Sequence, residues 1–391
     1  MGAAKTVALN DVAVIERDIV DPTSIESGTL FVGLENIESG GRFVGVRPVD
    51  AGELASSKFA FTPQHLLYGK LRPYLAKIAR PDFEGICSTD ILPVLPGPDL
   101  DRGYLGWLLL TPEMVARASS RATGANLPRL SPNALADLRI PLPPLPEQRR
   151  IAEILDKADA LRAKRRAALA QLDTLTQSIF LDMFGDPATN PKGWDEGTRL
   201  GDVADIASGV TKGRNLNGQR TRAVLYLAVV NVQDRALDLS TVKSIEATEA
   251  EIDRYRLLKD DLLLTEGGDP DKLGRGTLWS EELPECIHQN HIFRVRLTTA
   301  RVHPLFLNWL VSSSRGKKYF LRSAKQTTGI ASINMTQLRG FPMLIPPVEL
   351  QRDFATAVAG VNQLKNGISA ASRELDSLFA SLLHRAFRGE L

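Results

Sequence analysis

Cys286, His288 and His291 offer the thiol and imidazole groups of a soft-metal site within six residues. On a strand, however, His288 and His291 project to opposite faces, and no second ligand pair occurs elsewhere in the chain. They are therefore expected to pack, hydrogen-bond or touch a polar ligand, and no metal is assigned to them. Phosphate chemistry needs a glycine-flanked lysine followed by Ser or Thr, and SGVTKGRN around Lys212 lacks that spacing. No paired carboxylates and no Ser/His/Asp pattern stand out, though a triad assembled only in the fold leaves no signature in spacing. No residue is assigned a catalytic role.

Binding chemistry is better represented. From Ser312 to Arg339 there is no acidic residue, while Arg315, Lys317, Lys318, Arg322, Lys325 and Arg339 alternate with Tyr319, Gln326, Ser332 and Asn334. Met114 to Ala136 shows the same character, with Arg117, Arg121 and Arg129 beside Thr123 and Asn126. Two further stretches, LLYGKLRPYLAK and TKGRNLNGQRTR, add Lys70, Arg72, Tyr74, Lys77, Lys212, Arg214, Arg220 and Arg222. Lys and Arg neutralise phosphates, and Arg, Asn and Gln read base edges through paired hydrogen bonds. One charge run alone describes a solvated face. Its recurrence at corresponding places in two halves of the chain points to DNA.

The elements that position these residues are repeated. LRIPLPPLPEQRRIAEILDKADALRAKRRAALAQLDTLTQSIFLDMF, from Leu138 to Phe184, aligns without a gap on the segment beginning at Phe341 when 203 is added to each number. Prolines open both copies and a glutamate follows, so helices are expected to start near Glu147 and Glu349. Apolar residues recur at steps of three and four: Ile151, Ile154, Leu161, Leu172, Leu175 and Ile179 in the first copy, and Val361, Leu364, Ile368, Leu375, Leu378 and Leu382 in the second. This is a heptad seam, and a helix from Glu147 to Phe184 is roughly 57 Å long. The fifteen-residue segment GDPATNPKGWDEGTR spans at most about 50 Å, which favours an antiparallel pair. One such register sets Arg165 against Ala371.

The blocks that precede the helices also correspond. LNDVAVI resembles LGDVADI, LFVGLENI resembles LYLAVVNV, GICSTDILPV answers CIHQNHIFRV, and TGANLPRL answers TGIASINM. Both mix alternating β-branched runs with short helical patterns, which implies α+β folding. The boundaries expected are blocks 1–140 and 187–345, each followed by a long-helix segment, 141–186 and 346–391.

Composition narrows the classes. A net charge of +2 over 391 residues announces no nucleic-acid binder as a whole, so basic surface must be local. Two cysteines build no disulfide framework, no apolar run has the length of a membrane span, and no signal-peptide core is evident, so a cytoplasmic location is expected. MGAAKT fits a myristoylation pattern but has no second membrane signal and is taken as chance.

With these residues assembled, the chain resembles the specificity subunit of type I restriction-modification systems. The resemblance covers nearly the whole length. Its most specific parts are PLPPLPEQRRIAEILDKAD and its helix, FGDPATNPKGW leading to LGDVADI, and the second PP-x-x-x-Q-R helix; HQNHIFRV and the TG loops also fit. PPVELQRDF lacks the EQ pair of the first copy, and GRFVGVRP has no partner in the second block. The resemblance implies two tandem target-recognition domains separated by an antiparallel coiled coil, with a pseudo-twofold internal repeat. Each domain would read half of a bipartite double-stranded DNA target, and the helices would set the spacing. It implies a non-catalytic subunit. Two methyltransferase subunits would perform adenine methylation, restriction and translocase subunits ATP-driven cleavage, and S-adenosylmethionine, ATP and Mg would serve those partners. The chain has no Gly-rich cofactor loop and no NPPF-type motif. The other reading is a coiled-coil adaptor whose two domains bind proteins; a nuclease or fused methyltransferase is disfavoured by the missing motifs.

Overall fold

The structure, a computed structural model, describes residues 5–268, 273–327 and 330–391, with the side chains of 326, 327 and 330 also left undescribed. It forms two compact units, Met1–Ala168 with Ile368–Leu391, and Leu169–Gly367. In the first unit a four-stranded sheet has the order Ala13–Ile15, Ile91–Pro96, Leu66–Gly69, Ile78–Ala79. The unit also holds an antiparallel pair of Lys5–Ala8 with Arg139–Leu142 and a five-stranded sheet, in which Val32 pairs in parallel with Cys87. The second unit repeats the first sheet as Ala204–Ser208, Ile292–Leu297, Leu262–Thr265, Gly276–Leu278. It also repeats the parallel pair, setting Leu227 against His288. The correspondence of LFVGLENI with LYLAVVNV is thus one of strand partners. Asn36 and Asn231 even make the same turn, each accepting from a backbone N–H three residues back at 2.8 Å.

After each four-stranded sheet comes a short helix, Arg102–Leu109 or Pro304–Val311, which buries a tryptophan, Trp107 or Trp309. The long helices follow at Leu145–Phe184 and Val348–Ala386, within two residues of their expected starts. Their placement depends on one side chain each. Gln148, fully buried, accepts from the Asp101 N–H at 2.9 Å and donates to the carbonyls of Asp99 and Pro143 at 2.9 and 2.8 Å. Gln351, also fully buried, accepts from His303 N–H at 2.8 Å and donates to Arg301 and Pro346 at 3.1 and 2.7 Å.

Within each unit the two helices run antiparallel. In the first, Arg162 donates to Asp376 at 2.6 Å, and Arg150 reaches the Leu391 carbonyl at 3.0 Å. In the second, Lys365 pairs with Asp173 while Phe180 packs on Phe354 at 5.4 Å. The two ion pairs share one register, two residues from the one that sets Arg165 against Ala371. The expected seam needs correction at four positions. Leu161, Leu175, Leu364 and Leu378 are 53%, 44%, 59% and 55% exposed. In each case the next residue is turned inward: Arg162 lies over the Phe379 ring at 4.4 Å, Thr176 and Phe379 are buried, and Lys365 makes its ion pair. A strict seven-residue seam drifts by about 20° per heptad on a straight helix, and one residue of shift turns the face by about 100°. Ile151 and Val361 are buried as expected, and Ile154, Leu172, Ile179, Ile368, Leu375 and Leu382 are half-buried.

Aromatic packing closes the second unit. Phe180 and Phe184 of the first long helix meet Phe306, Trp309 and Phe354 with ring centroids 4.8–6.1 Å apart. The segment after Phe184 is tied down at its start. Lys192 donates to the carbonyls of Asp182 and Met183 at 2.6 and 2.9 Å, a cation on a helix C-terminus, and Trp194 Nε1 donates to Phe184 at 2.8 Å. Among the described residues, no helix is long and apolar enough to cross a membrane.

The buried amides generate a prediction. Gln351→Leu strands the His303 N–H and the carbonyls of Arg301 and Pro346. At about 1–3 kcal/mol per stranded buried group, the full-length chain should lose about 3 kcal/mol or more in urea unfolding. Exposed Arg352→Leu should change stability by no more than about 0.5 kcal/mol. Equal effects of the two variants would show that water takes over the amide's bonds.

Candidate nucleic-acid interface

In the first unit the fold brings two basic stretches together. The strand Leu66–Gly69 continues past its sheet, where Leu130 N–H donates to Lys70 O at 2.9 Å and Arg72 N–H to Pro128 O at 2.7 Å. Leu71 and Thr123 both bridge to Arg129. Lys70, Arg72, Tyr74, Thr123 and Arg129 therefore share one corner, with exposed Asn126 in the loop between. Its backbone is strained. Arg72 and Ala76 have φ of 52° and 47° around the turn Pro73–Leu75, conformations that cost of order 1–3 kcal/mol each in non-glycine residues and gather at functional sites. Arg72 and Tyr74 point their side chains to solvent, whereas Lys70 and Arg129 share Asp90, at 3.9 and 3.3 Å. Lys77 is turned away, donating to Leu34 O at 2.6 Å, and Arg121 donates to Asp137 O at 3.0 Å.

The second unit sorts its cations differently. Lys317, Lys318 and Arg322 are exposed on the helix Ser314–Ser323, which turns Gly316 and Phe320 inward. Lys318 and Arg322 lie four apart on that helix, a like-charge spacing that is unfavourable without an outside anion. Exposed Lys325 begins the strand Lys325–Thr327, which pairs with Ile330–Ser332. Arg214 and Arg222 are engaged: Arg214 holds Glu251 at 2.5 and 2.7 Å, and Arg222 holds both Glu249 and Glu285 at 2.6 Å. Lys212, two residues before Arg214, and Arg220, two before Arg222, are exposed. Asn334 uses its side-chain oxygen to cap the helix Met335–Arg339. The Gln326 side chain and the TG pair Thr328–Gly329 lie outside the described residues.

Asp90 and Glu266, being acidic, belong to none of the basic stretches. Both sit where a sheet strand runs on into the basic corner or its counterpart, a place that becomes visible only when the two blocks are superposed strand by strand. The alignment of GICSTDILPV with CIHQNHIFRV carries the signal, because it sets Asp90 on His291.

Residues 73–171 match the family described as "Type I restriction modification DNA specificity domain". The chain is similar to the StySPI specificity subunit of Salmonella potsdam, 26% identical over 292 residues, which are 70% of this chain and 62% of that protein. It is 33% identical to the EcoDI specificity subunit of Escherichia coli over 135 residues, 34% of this chain and 30% of that one. The chain thus spans less than two thirds of the length of these relatives. A solved chain from work on the assembly and conformational transition of the type I R-M system has a TM-score of 0.62 at 21% identity, covering 100% of this chain and 99% of that one. The α+β fold with its two long helices is therefore the fold of that chain.

The titratable groups inside the second unit are structural. His288 is fully buried; its ring Nδ1 lies 2.9 Å from the Ile292 carbonyl, and its Nε2 has no partner among the described residues. Burial pushes its pKa down from 6.5 to about 4. Burial likewise pushes the Cys286 thiol up to about 12, and among the described residues no cluster of His, Cys, Asp and Glu is placed to hold a metal. The unfolded chain protonates this histidine below about pH 6.5 while the folded chain resists until about 4. The histidine's contribution to stability is therefore present above pH 6.5 and lost as pH falls toward 4, about tenfold in the folding equilibrium per pH unit. Urea unfolding across that window should show the slope in the native chain and a slope smaller by about one proton in His288→Gln. Identical slopes would mean that the imidazole is hydrated and titrates normally.

Proposed function

We propose that this chain, which over residues 73–171 matches the DNA specificity domain of type I restriction-modification systems, is the sequence-reading subunit of such a complex. Each of its two α+β blocks, 1–140 and 187–345, binds one half of a bipartite double-stranded DNA target, and the helix segments 141–186 and 346–391 set the distance between the halves. The observation that carries this reading is the exposed basic surface present in both repeats: Arg72 with Tyr74 and the Thr123–Arg129 loop in one, Lys317, Lys318, Arg322 and Lys325 in the other. An adaptor that binds proteins has no need of the Lys318 and Arg322 spacing.

The subunit binds and positions; adenine methylation and ATP-driven cleavage belong to methyltransferase and restriction subunits, which carry S-adenosylmethionine, ATP and Mg. The exposed leucines support recruitment of two methyltransferase copies. Leu161 and Leu378 in one unit, and Leu175 and Leu364 in the other, leave apolar side chains in water at repeated positions, as an interface used twice requires. Of the basic residues, Arg214 and Arg222 are assigned to holding the second block together, since their carboxylate partners already neutralise them.

Two measurements test this. Binding of the full-length chain to duplex DNA should weaken with salt, and Lys318→Ala with Arg322→Ala should lower the log–log slope by about 0.9 per lost phosphate contact. Arg222→Ala should leave the slope unchanged. In cells carrying the complete system, replacing residues 200–335 by the second block of another specificity subunit should change one half of the methylated sequence and leave the other intact. No salt-dependent duplex binding would return the chain to the adaptor reading.

A further inference from the structure

The corner at Lys70 in the first unit has a counterpart in the second, built on the same backbone and filled with the opposite charge. In the first unit Gly69 N–H donates to Lys77 O at 2.8 Å, Lys70 N–H to Asp90 O at 2.9 Å, and Leu130 N–H to Lys70 O at 2.9 Å. In the second, Thr265 N–H donates to Arg275 O at 3.0 Å, Glu266 N–H to His291 O at 2.9 Å, and Ile333 N–H to Glu266 O at 2.9 Å. Lys70 therefore corresponds to Glu266, Asp90 to His291, and Leu130 to Ile333. One residue earlier, Arg129 bridges to Leu71 as Ser332 pairs with Gly267.

The side chains on this frame are inverted. In the first corner two cations, Lys70 and Arg129, share the single carboxylate of Asp90. In the second, among the described residues, the carboxylate of Glu266 meets the His291 imidazole alone, 2.6 Å away, and His291 has 56% of its side chain exposed. The frame does not demand either filling, because its hydrogen bonds are all backbone. Stability demands little of them, because each pair is open to water on one side, at exposed Arg129 or exposed His291, and solvent-screened ion pairs contribute little.

We infer that these two corners are specificity-determining: Lys70 with Arg129 reads an acceptor-rich guanine edge in one half-site, and Glu266 reads the exocyclic amine of cytosine in the other. The chemistry follows from donor and acceptor type. Lysine and arginine donate to guanine O6 and N7, and a glutamate accepts from cytosine N4. An acidic residue beside a polyanion weakens phosphate binding, so its presence beside the basic strand of Lys325 is explained by base contact. The inference rests on the specificity-subunit reading, since it assigns bases to a target which that reading supplies.

The test maps methylated sites in cells carrying the complete system with either the native chain or Glu266→Gln, together with duplex binding and melting temperature of the purified full-length chain. Glu266→Gln should relax one base pair of one half-site by about tenfold or more, leave the other half unchanged, and keep the native salt slope and melting temperature. Transplanting the first corner into the second, Glu266→Lys with His291→Asp, should move the preferred base at that position to guanine. An unchanged methylated sequence at full activity in both variants overturns the inference. So does a uniform loss of methylation with a lowered melting temperature in Glu266→Gln, which makes the corner structural. If the native chain directs no bipartite methylation at all, it is the specificity-subunit reading that fails.

Discussion

A helix of 40 residues buries one stripe of its surface, and which stripe that is depends on how its first turn is held. Here a carboxamide does the holding. Gln148 and Gln351 each present one acceptor and two donor hydrogens to three backbone groups that would otherwise be buried and unpaired. A leucine would pack there but satisfy none of them, and a glutamate would set an acceptor against two carbonyls. The amide joins the loop before the short helix, the proline pair and the long helix at one point in each unit. From that point the helix direction follows.

The repeat explains what was legible in the sequence. Helix starts, the antiparallel sense and the equivalence of strands follow from proline pairs, periodicity and gap-free alignment, all of which depend on neighbours in the chain. The seam was misplaced by one residue at Leu161, Leu175, Leu364 and Leu378 because the spacing of apolar residues allows two adjacent faces. The choice between them is made by Trp107 packing on Phe379 and by ion pairs between helices. Neither leaves a trace in local spacing. The shift occurs at the same heptad positions of both copies, so it is a property of the repeated unit.

Charge was legible as composition and not as availability. Arg214 and Arg222 belong to a basic run, yet their partners lie 37 and 63 residues away at Glu251 and Glu285. Lys77 finds a carbonyl 43 residues upstream. Folding across such distances converts half of an apparent binding stretch into framework. What remains exposed is the short, strained turn at Arg72 and, on the helix Ser314–Ser323, the side chains of Lys317, Lys318 and Arg322, which make no ion pair among the described residues.

Framework and surface thereby answer to different energies. The buried amides and the aromatic cluster around Phe354 involve groups whose exposure or stranding costs about 1–3 kcal/mol each, so their identities are tightly held. The corners at Lys70 and Glu266 are joined to the same sheets by backbone hydrogen bonds alone, and their side-chain pairs contribute about 0–1 kcal/mol. Substitution there leaves folding almost untouched. Under the proposed reading, a subunit that must recognise two unlike half-sites with two copies of one fold needs this separation: a frame that does not depend on the residues displayed, and a display that can reverse its charge without disturbing the frame.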